Sequence, residues 1–187
     1  MISDKSRDYE AVLSALYTVK SKNINLTLLG RPLGKYGDLM IKKYQELNNL
    51  QLKYYTQFID QENFDRVMRN TDFLILPMVQ HMRFGVVTEQ NGFSCVSGNI
   101  NDMLRFGLPA IIPNFYPLEP HLEFMVERYK DSSQLAELVD KWSSRKSYNK
   151  IKQEIIKSGL PENNKLNMSQ HFLQSLKSVQ SEVLNRT

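Results

Sequence analysis

The chain has 187 residues, of which 41% are hydrophobic, and its 24 Lys and Arg exceed its 20 Asp and Glu. This length buries one good core, so we expect a single domain over residues 1–187. The longest apolar run, residues 73–79, is much shorter than the ~20 residues that cross a bilayer. The charged residues 4–8 argue against a secretory signal, and a cytoplasmic protein is predicted.

The basic residues are concentrated towards the C-terminus. Residues 141–187 contain nine Lys and Arg against three Asp and Glu. Because these charges alternate with apolar residues, the pattern favours a solvated helix face, with contact to an anionic membrane surface as the alternative. Aromatic residues are not interleaved with the charges, so nucleic acid is not expected as a partner.

In chain order, the spacing of apolar residues predicts alternating helices and strands. It predicts a helix at 9–17, a strand at 24–30, a helix at 35–47, a strand at 50–55, a helix at 60–70, a strand at 72–77, a helix at 98–106, strands at 108–113 and 124–129, and helices at 132–142, 148–157 and 168–184. Asp60 is expected to cap the third helix, Ser132 or Ser133 the fifth, and Gly107 to end the fourth.

Apolar strands separated by helices indicate an α/β fold, a Rossmann-like, doubly wound parallel sheet covered on both faces. Ligands of such sheets bind beyond the carboxyl ends of the strands. We therefore expect a binding site among the loops at residues 30–37, 57–61, 79–98 and 114–120.

Two apparent motifs do not meet the requirements of their chemistry. Residues 30–37 are rich in glycine but lack the spacing of a phosphate loop and of the dinucleotide fingerprint, although Arg31 remains a candidate phosphate ligand. Residues 92–96 begin like a hydrolase nucleophile elbow, but Val96 replaces its second glycine.

The single cysteine and the three histidines suggest neither a disulfide nor a metal site. Cys95 has no partner, and the histidines lack the spacing of zinc ligands. A nucleophilic Cys95 beside His81 is less expected than an inert, partly buried thiol. No cofactor is predicted.

Residues 92–109 form the segment most suggestive of a binding site. Small residues allow close approach of a ligand, and a helix that begins near Ser97 to Asn99 presents free amides at Gly98 and Asn99 to an anion. One turn further, Asp102 is placed to accept hydrogen bonds from ribose hydroxyls. The alternative is an ordinary capped helix.

The strand at 72–77, the small-residue turn, Asp102 and the Gly-Leu-Pro entry to the strand at 108–113 resemble the C-terminal domain of GT-B glycosyltransferases, especially the large retaining group 1 family. The resemblance covers residues 5–142. It implies that Asp102 holds the nucleotide ribose and that Ser94 stands where the family has a glutamate near the donor sugar. Glu89 is a possible substitute for that carboxylate, and Lys5 or Arg7 would bind the donor diphosphate.

The same resemblance implies a donor-binding domain for a UDP- or GDP-type sugar, acting in surface polysaccharide synthesis. An N-terminal acceptor domain would be missing, the first strand of the sheet would be cut away, and residues 145–187 would be bracing helices. The implied donor-binding residues are Lys5, Arg7, Arg31, Ser94, Ser97, Gly98, Asn99 and Asp102. Catalytic residues are not identified.

Three other functions remain open on the sequence. A non-enzymatic nucleotide-sugar-binding module is suggested by Ser94, and a nucleotide-sugar epimerase shares the GT-B architecture. A flavodoxin-like signalling domain lacks the expected acidic cluster.

Overall fold

The computed structural model describes residues 2–3, 6–22, 24–84, 86–95 and 97–159. The helices are α1 (Tyr9–Thr18), α2 (Gly34–Gln45), α3 (Gln61–Arg69), α4 (Gly98–Phe106), α5 (Ser132–Ser143) and α6 (Arg145–Ser158), with a 3-10 helix at Pro120–Met125. The strands are β1 (Ile24–Leu28), β2 (Leu50–Tyr54), β3 (Leu74–Ile75), β4 (His81–Phe84), β5 (Val87–Gln90), β6 (Ala110–Pro113) and β7 (Val126–Tyr129). The chain is α/β, as predicted. The helix expected at 168–184 lies outside the described residues.

Five of the described strands form parallel sheets, but these sheets do not join into one. β1 pairs with β2 in parallel, from Ile24 opposite Leu50 onward, and β6 lies between β3 and β7, parallel to both. Among the strands that the structure describes, no ladder connects these two sheets. The single continuous sheet that was predicted is therefore seen as a two-stranded and a three-stranded part.

The strands β4 and β5 form an antiparallel hairpin that was not predicted. Its segment was expected to be a variable loop. The hairpin places few side chains in the core, with Met82 buried while His81, Arg83 and Val87 are exposed, so the sequence carries little hydrophobic alternation from which to recognise it.

The core lies around β6, in which every residue is buried. Helices α1 and α5 pack against each other, and Trp142 of α5 meets Phe73 edge-on, with ring centroids 5.4 Å apart. Phe64 of α3 and Phe106 of α4 have ring centroids 6.2 Å apart. None of the helices in the described part of the chain is long and apolar enough to cross a bilayer.

Helix ends follow the expected chemistry with one exception. Asp60 accepts a hydrogen bond from the Asn63 backbone at 2.8 Å, and Gly107 ends α4 in the left-handed region at φ 59°. The expected serine cap of α5 is wrong. Asp131 occupies that position and accepts from the Gln134 backbone at 2.9 Å, because its carboxylate precedes the first helical residue.

Close backbone contact joins the beginning of the chain to the segment that follows β1. The Ile2 N–H donates to the Arg31 carbonyl at 2.9 Å, and the Leu33 N–H donates to the Ile2 carbonyl at 3.1 Å. This gives a parallel bridge between Ile2 and Pro32. Helix α2 reaches this bridge at Gly37, where a Cβ atom would lie 2.8 Å from the Pro32 backbone and 2.9 Å from the Ile2 carbonyl oxygen.

Replacing Gly37 with alanine is expected to lower the free energy of unfolding by about 1–3 kcal/mol, since the added methyl must displace backbone atoms. The loss should appear even though alanine is the better helix former by ~1 kcal/mol. Gly98→Ala is the matched control, because a Cβ there meets nothing within 4 Å. Urea denaturation measures both. A Gly37→Ala midpoint equal to or above that of the unmodified chain would contradict the close contact.

Candidate functional site

Arg7, near the N-terminus of the chain, contacts the N-terminus of α4. Its Nη2 donates to the Asn99 Oδ1 at 2.6 Å and to the Ser97 Oγ at 3.3 Å, while its Nη1 donates to the Ser6 carbonyl at 2.8 Å. The structure therefore brings together Arg7, Ser97 and Asn99, three of the residues that the resemblance implied for donor binding, at the N-terminus of α4.

The backbone around Arg7 is fixed by the segment that follows β3. The Asp8 N–H donates to the Pro77 carbonyl at 2.7 Å, and Arg7 forms an antiparallel bridge with Met78. Asp8 also caps α1 by accepting from the Ala11 N–H at 2.9 Å. The arginine is thus held beyond the carboxyl end of β3, the edge at which parallel sheets bind ligands.

Arg7 makes no ion pair with any residue in the described part of the chain. Its side chain is half-buried, and burial lowers the pKa of the guanidinium from its ordinary value, although arginine remains charged in proteins. Among the described residues, no carboxylate lies within 4.0 Å of it, and the first turn of α4 contains no acidic residue. Because the N-terminus of a helix is itself a partial positive charge, this arrangement favours a bound anion.

The N-terminus of α4 leaves space for a ligand beside Arg7. Ser97 precedes the helix without a side-chain capping bond, because its Oγ instead accepts from Arg7. The Ser97 N–H donates to the Tyr116 hydroxyl at 3.4 Å, which anchors the helix entrance. Gly98 is exposed, with no atom within 4 Å of a Cβ position. A ligand can therefore approach the backbone amides of the first turn.

Asp102 lines the same cavity as Arg7 and Asn99, a space of about 1010 Å³. Burial raises the pKa of the Asp102 carboxyl above its ordinary value of 3.8, and the nearby Asp65 raises it further, while Arg105 opposes the shift. The carboxylate is thus partly desolvated. Hydroxyl donors would stabilise its charged form.

Two other predicted residues, Arg31 and Ser94, are not brought into this cluster. The Arg31 side chain is exposed and does not line the cavity, although its carbonyl binds Ile2. Ser94 is exposed, and its Oγ accepts from the Gln90 N–H at 2.8 Å within the turn after β5. Lys5 lies outside the described residues.

The thiol of Cys95, in the segment after β5, lies beside the carboxylate of Glu89 in β5. Desolvation raises the pKa of the Cys95 thiol, and a hydrogen bond with Glu89 together with the carboxylate charge raises it further. The thiol also lies 4.0 Å from the Asn91 Oδ1. A higher pKa lowers the fraction of reactive thiolate, and the thiol is partly buried, as predicted.

Sequence reasoning missed the residues that hold the surrounding loops. Asn91 is buried, and its amide donates to the Val79 carbonyl at 3.1 Å. Arg128 donates to both carboxylate oxygens of Glu123 and to the Tyr116 carbonyl at 2.6 Å. These contacts join residues that are distant in sequence or lack a local motif, so only the folded chain reveals them.

The part of the chain that the structure describes contains no group of three or more His, Cys, Asp and Glu side chains able to hold a metal ion. Comparison with protein families, with curated proteins and with solved structures finds no match for this chain. Its function must therefore be argued from the site itself.

Because burial raises the pKa of Asp102, the folded state binds that proton more tightly than the unfolded chain does. The stabilising contribution of protonated Asp102 is present below the unfolded pKa and is lost as pH rises through the folded pKa. The unmodified chain should therefore lose stability relative to Asp102→Asn as pH rises from about 3 to 7. Urea denaturation at each pH measures the difference.

Asp60→Asn is the matched control, because hydrogen bonds from Asn63 lower the pKa of Asp60. Its stabilising contribution is present above the unfolded pKa and is lost as pH falls. As pH rises, the free energy of unfolding of the unmodified chain should therefore fall relative to that of Asp102→Asn and rise relative to that of Asp60→Asn. A flat difference for Asp102→Asn would show that its carboxyl is not desolvated in the folded state.

Proposed function

We propose that this chain binds the diphosphate of a nucleotide sugar, and that it is the donor-binding domain of a glycosyltransferase with a GT-B architecture. The observation that supports this proposal most is the half-buried Arg7, which has no acidic partner among the described residues and lies at the N-terminus of α4. Phosphate suits the site because it is an anion with several acceptor oxygens.

Two contributions favour the diphosphate, and they differ in size. The dipole and free amides of α4 supply about 0.3–1 kcal/mol at an exposed position and up to ~2 kcal/mol when partly buried. A hydrogen bond from an arginine to a charged group supplies about 1.5–3 kcal/mol. Arg7 is therefore expected to contribute more than the helix, with the hydroxyl of Ser97 and the amide of Asn99 orienting it.

Asp102 supports the nucleotide part of the proposal. It lies in the second turn of α4 and lines the cavity that Arg7 also lines. A ribose presents two neighbouring hydroxyls, and a desolvated carboxylate accepts hydrogen bonds from both. The diphosphate at the helix N-terminus and the ribose against Asp102 would then run along the first turns of α4.

A non-enzymatic nucleotide-sugar-binding module is the second candidate, and the position of Ser94 favours it. The Ser94 hydroxyl is bonded to the Gln90 backbone, and Glu89 lies against Cys95, so neither residue supplies the carboxylate expected near the donor sugar. Release of nucleoside diphosphate from a nucleotide sugar in the presence of acceptor, by a full-length protein that carries the acceptor domain as well as this chain, separates the transferase from the module. The same assay without acceptor, scored for sugar interconversion, tests the epimerase.

Arg7→Gln is expected to weaken UDP or GDP binding by about 10- to 100-fold and to leave the uncharged nucleosides unaffected, because only the diphosphate contacts the guanidinium. Arg31→Gln is the matched control, since Arg31 is exposed and lies outside the cavity. Isothermal titration calorimetry measures the binding of nucleoside diphosphate and of nucleoside to each of the two variants. Thermal denaturation checks that Arg7→Gln is folded. If both variants keep the full preference for diphosphate over nucleoside, the proposed phosphate site is wrong.

Asp102→Asn is expected to weaken UDP binding about tenfold while barely changing the affinity for 2′,3′-dideoxy-UDP, which lacks the hydroxyls that the carboxylate would accept from. The comparison isolates the ribose contact from any general disturbance of the cavity. Equal losses for both nucleotides, together with a lower unfolding midpoint, would make Asp102 a structural residue of α4.

A further inference from the structure

The hydroxyl of Tyr116 lies at the N-terminus of α4 with a buried hydrogen-bond donor that the described residues do not satisfy. Tyr116 is only 3% exposed. Its oxygen accepts from the Ser97 N–H at 3.4 Å, and the residues that the structure describes give this hydroxyl no second hydrogen bond. A tyrosine hydroxyl can donate as well as accept. Because buried donors are nearly always paired, this proton points to an acceptor that a ligand supplies.

The segment that follows β6 fixes the position of Tyr116. Arg128 donates to the Tyr116 carbonyl at 2.6 Å. The guanidinium of Arg128 is itself held by Glu123, at 2.6 Å. The Tyr116 ring also packs closely against Gly92, where a Cβ atom would lie 3.3 Å from a ring carbon. The backbone and the ring are therefore both held, and the hydroxyl is kept at the start of α4.

This hydroxyl lies beside the guanidinium that we assign to the diphosphate. Burial lowers the pKa of Arg7, and the nearby Tyr9 and Tyr116 oppose that shift. Ser97 contacts Arg7 and Tyr116 together, because its Oγ accepts from Arg7 at 3.3 Å while its N–H donates to the Tyr116 hydroxyl. A phosphate group has several acceptor oxygens. It can therefore accept from the guanidinium and from the hydroxyl at the same time.

We propose that Tyr116 is a further ligand of the bound diphosphate, and that its hydroxyl donates to a phosphate oxygen beside Arg7 while it accepts from the Ser97 N–H. This inference rests on the proposed function, since it requires a diphosphate at the start of α4. A neutral donor suits this position because it binds phosphate oxygens without adding to the positive charge of Arg7 and of the helix N-terminus.

The test compares the unmodified chain with Tyr116→Phe, which keeps the ring and removes the hydroxyl. We expect the substitution to weaken the binding of pyrophosphate and of UDP by about tenfold and to leave the binding of uridine unchanged. Isothermal titration calorimetry measures all three. Tyr44→Phe is the matched control, because the Tyr44 hydroxyl is buried but already donates to the Tyr9 carbonyl at 2.8 Å. It should lower the thermal unfolding midpoint and leave the preference for diphosphate over nucleoside unchanged.

The same comparison in the Arg7→Gln background separates a ligand from a positioning residue. A hydroxyl that donates to phosphate weakens diphosphate binding in both backgrounds. A hydroxyl that acts only by holding Ser97 against Arg7 loses its effect when the guanidinium is absent. A loss that appears only when Arg7 is present would therefore overturn the proposal, and so would equal losses for UDP and uridine.

Arg7→Gln alone distinguishes failure of this inference from failure of the proposed function. If Arg7→Gln weakens UDP binding selectively and Tyr116→Phe does not, Tyr116 is not a ligand and the proposed function stands. If neither substitution does so, both proposals are wrong.

A form with 3-fluorotyrosine at position 116 keeps the hydroxyl and tests the proposal even where Tyr116→Phe does not fold. Its fluorine resonance should move on saturation with pyrophosphate and stay in place with uridine. A resonance that saturating pyrophosphate leaves unmoved, or that uridine moves equally, would overturn the assignment of Tyr116.

Discussion

The candidate site depends on backbone hydrogen bonds that hold the chain at Ile2 and at Asp8. Ile2 is bonded to the segment after β1, and Asp8 to the segment after β3, at 2.9 and 2.7 Å. Buried backbone groups that lose such partners cost about 1–3 kcal/mol each. The two bonds therefore fix where α1 begins and direct Arg7 towards α4.

The position of Arg7 is electrostatically unfavourable for the chain alone. A cation beside the positive end of a helix is repelled, and burial removes part of its hydration. The acceptors Ser97 and Asn99 offset this cost in part, but both are neutral. Binding sites commonly keep such local conflicts, because an arrangement that is poor for folding is resolved by the ligand. An anion at this position would remove the repulsion and the desolvation together.

Local patterns in the sequence predicted the elements well, since apolar spacing, the Asp60 cap and the Gly107 terminus depend on nearby residues. The start of α4 was predicted for the same reason. The sequence did not predict that Arg7, and not Arg31, lies at the start of α4, because this depends on a hydrogen bond across the fold from Arg7 to Asn99. The hydrogen bond that keeps the Ser94 hydroxyl within its own turn leaves no periodic signal in the sequence, and neither does the exposed β4–β5 hairpin.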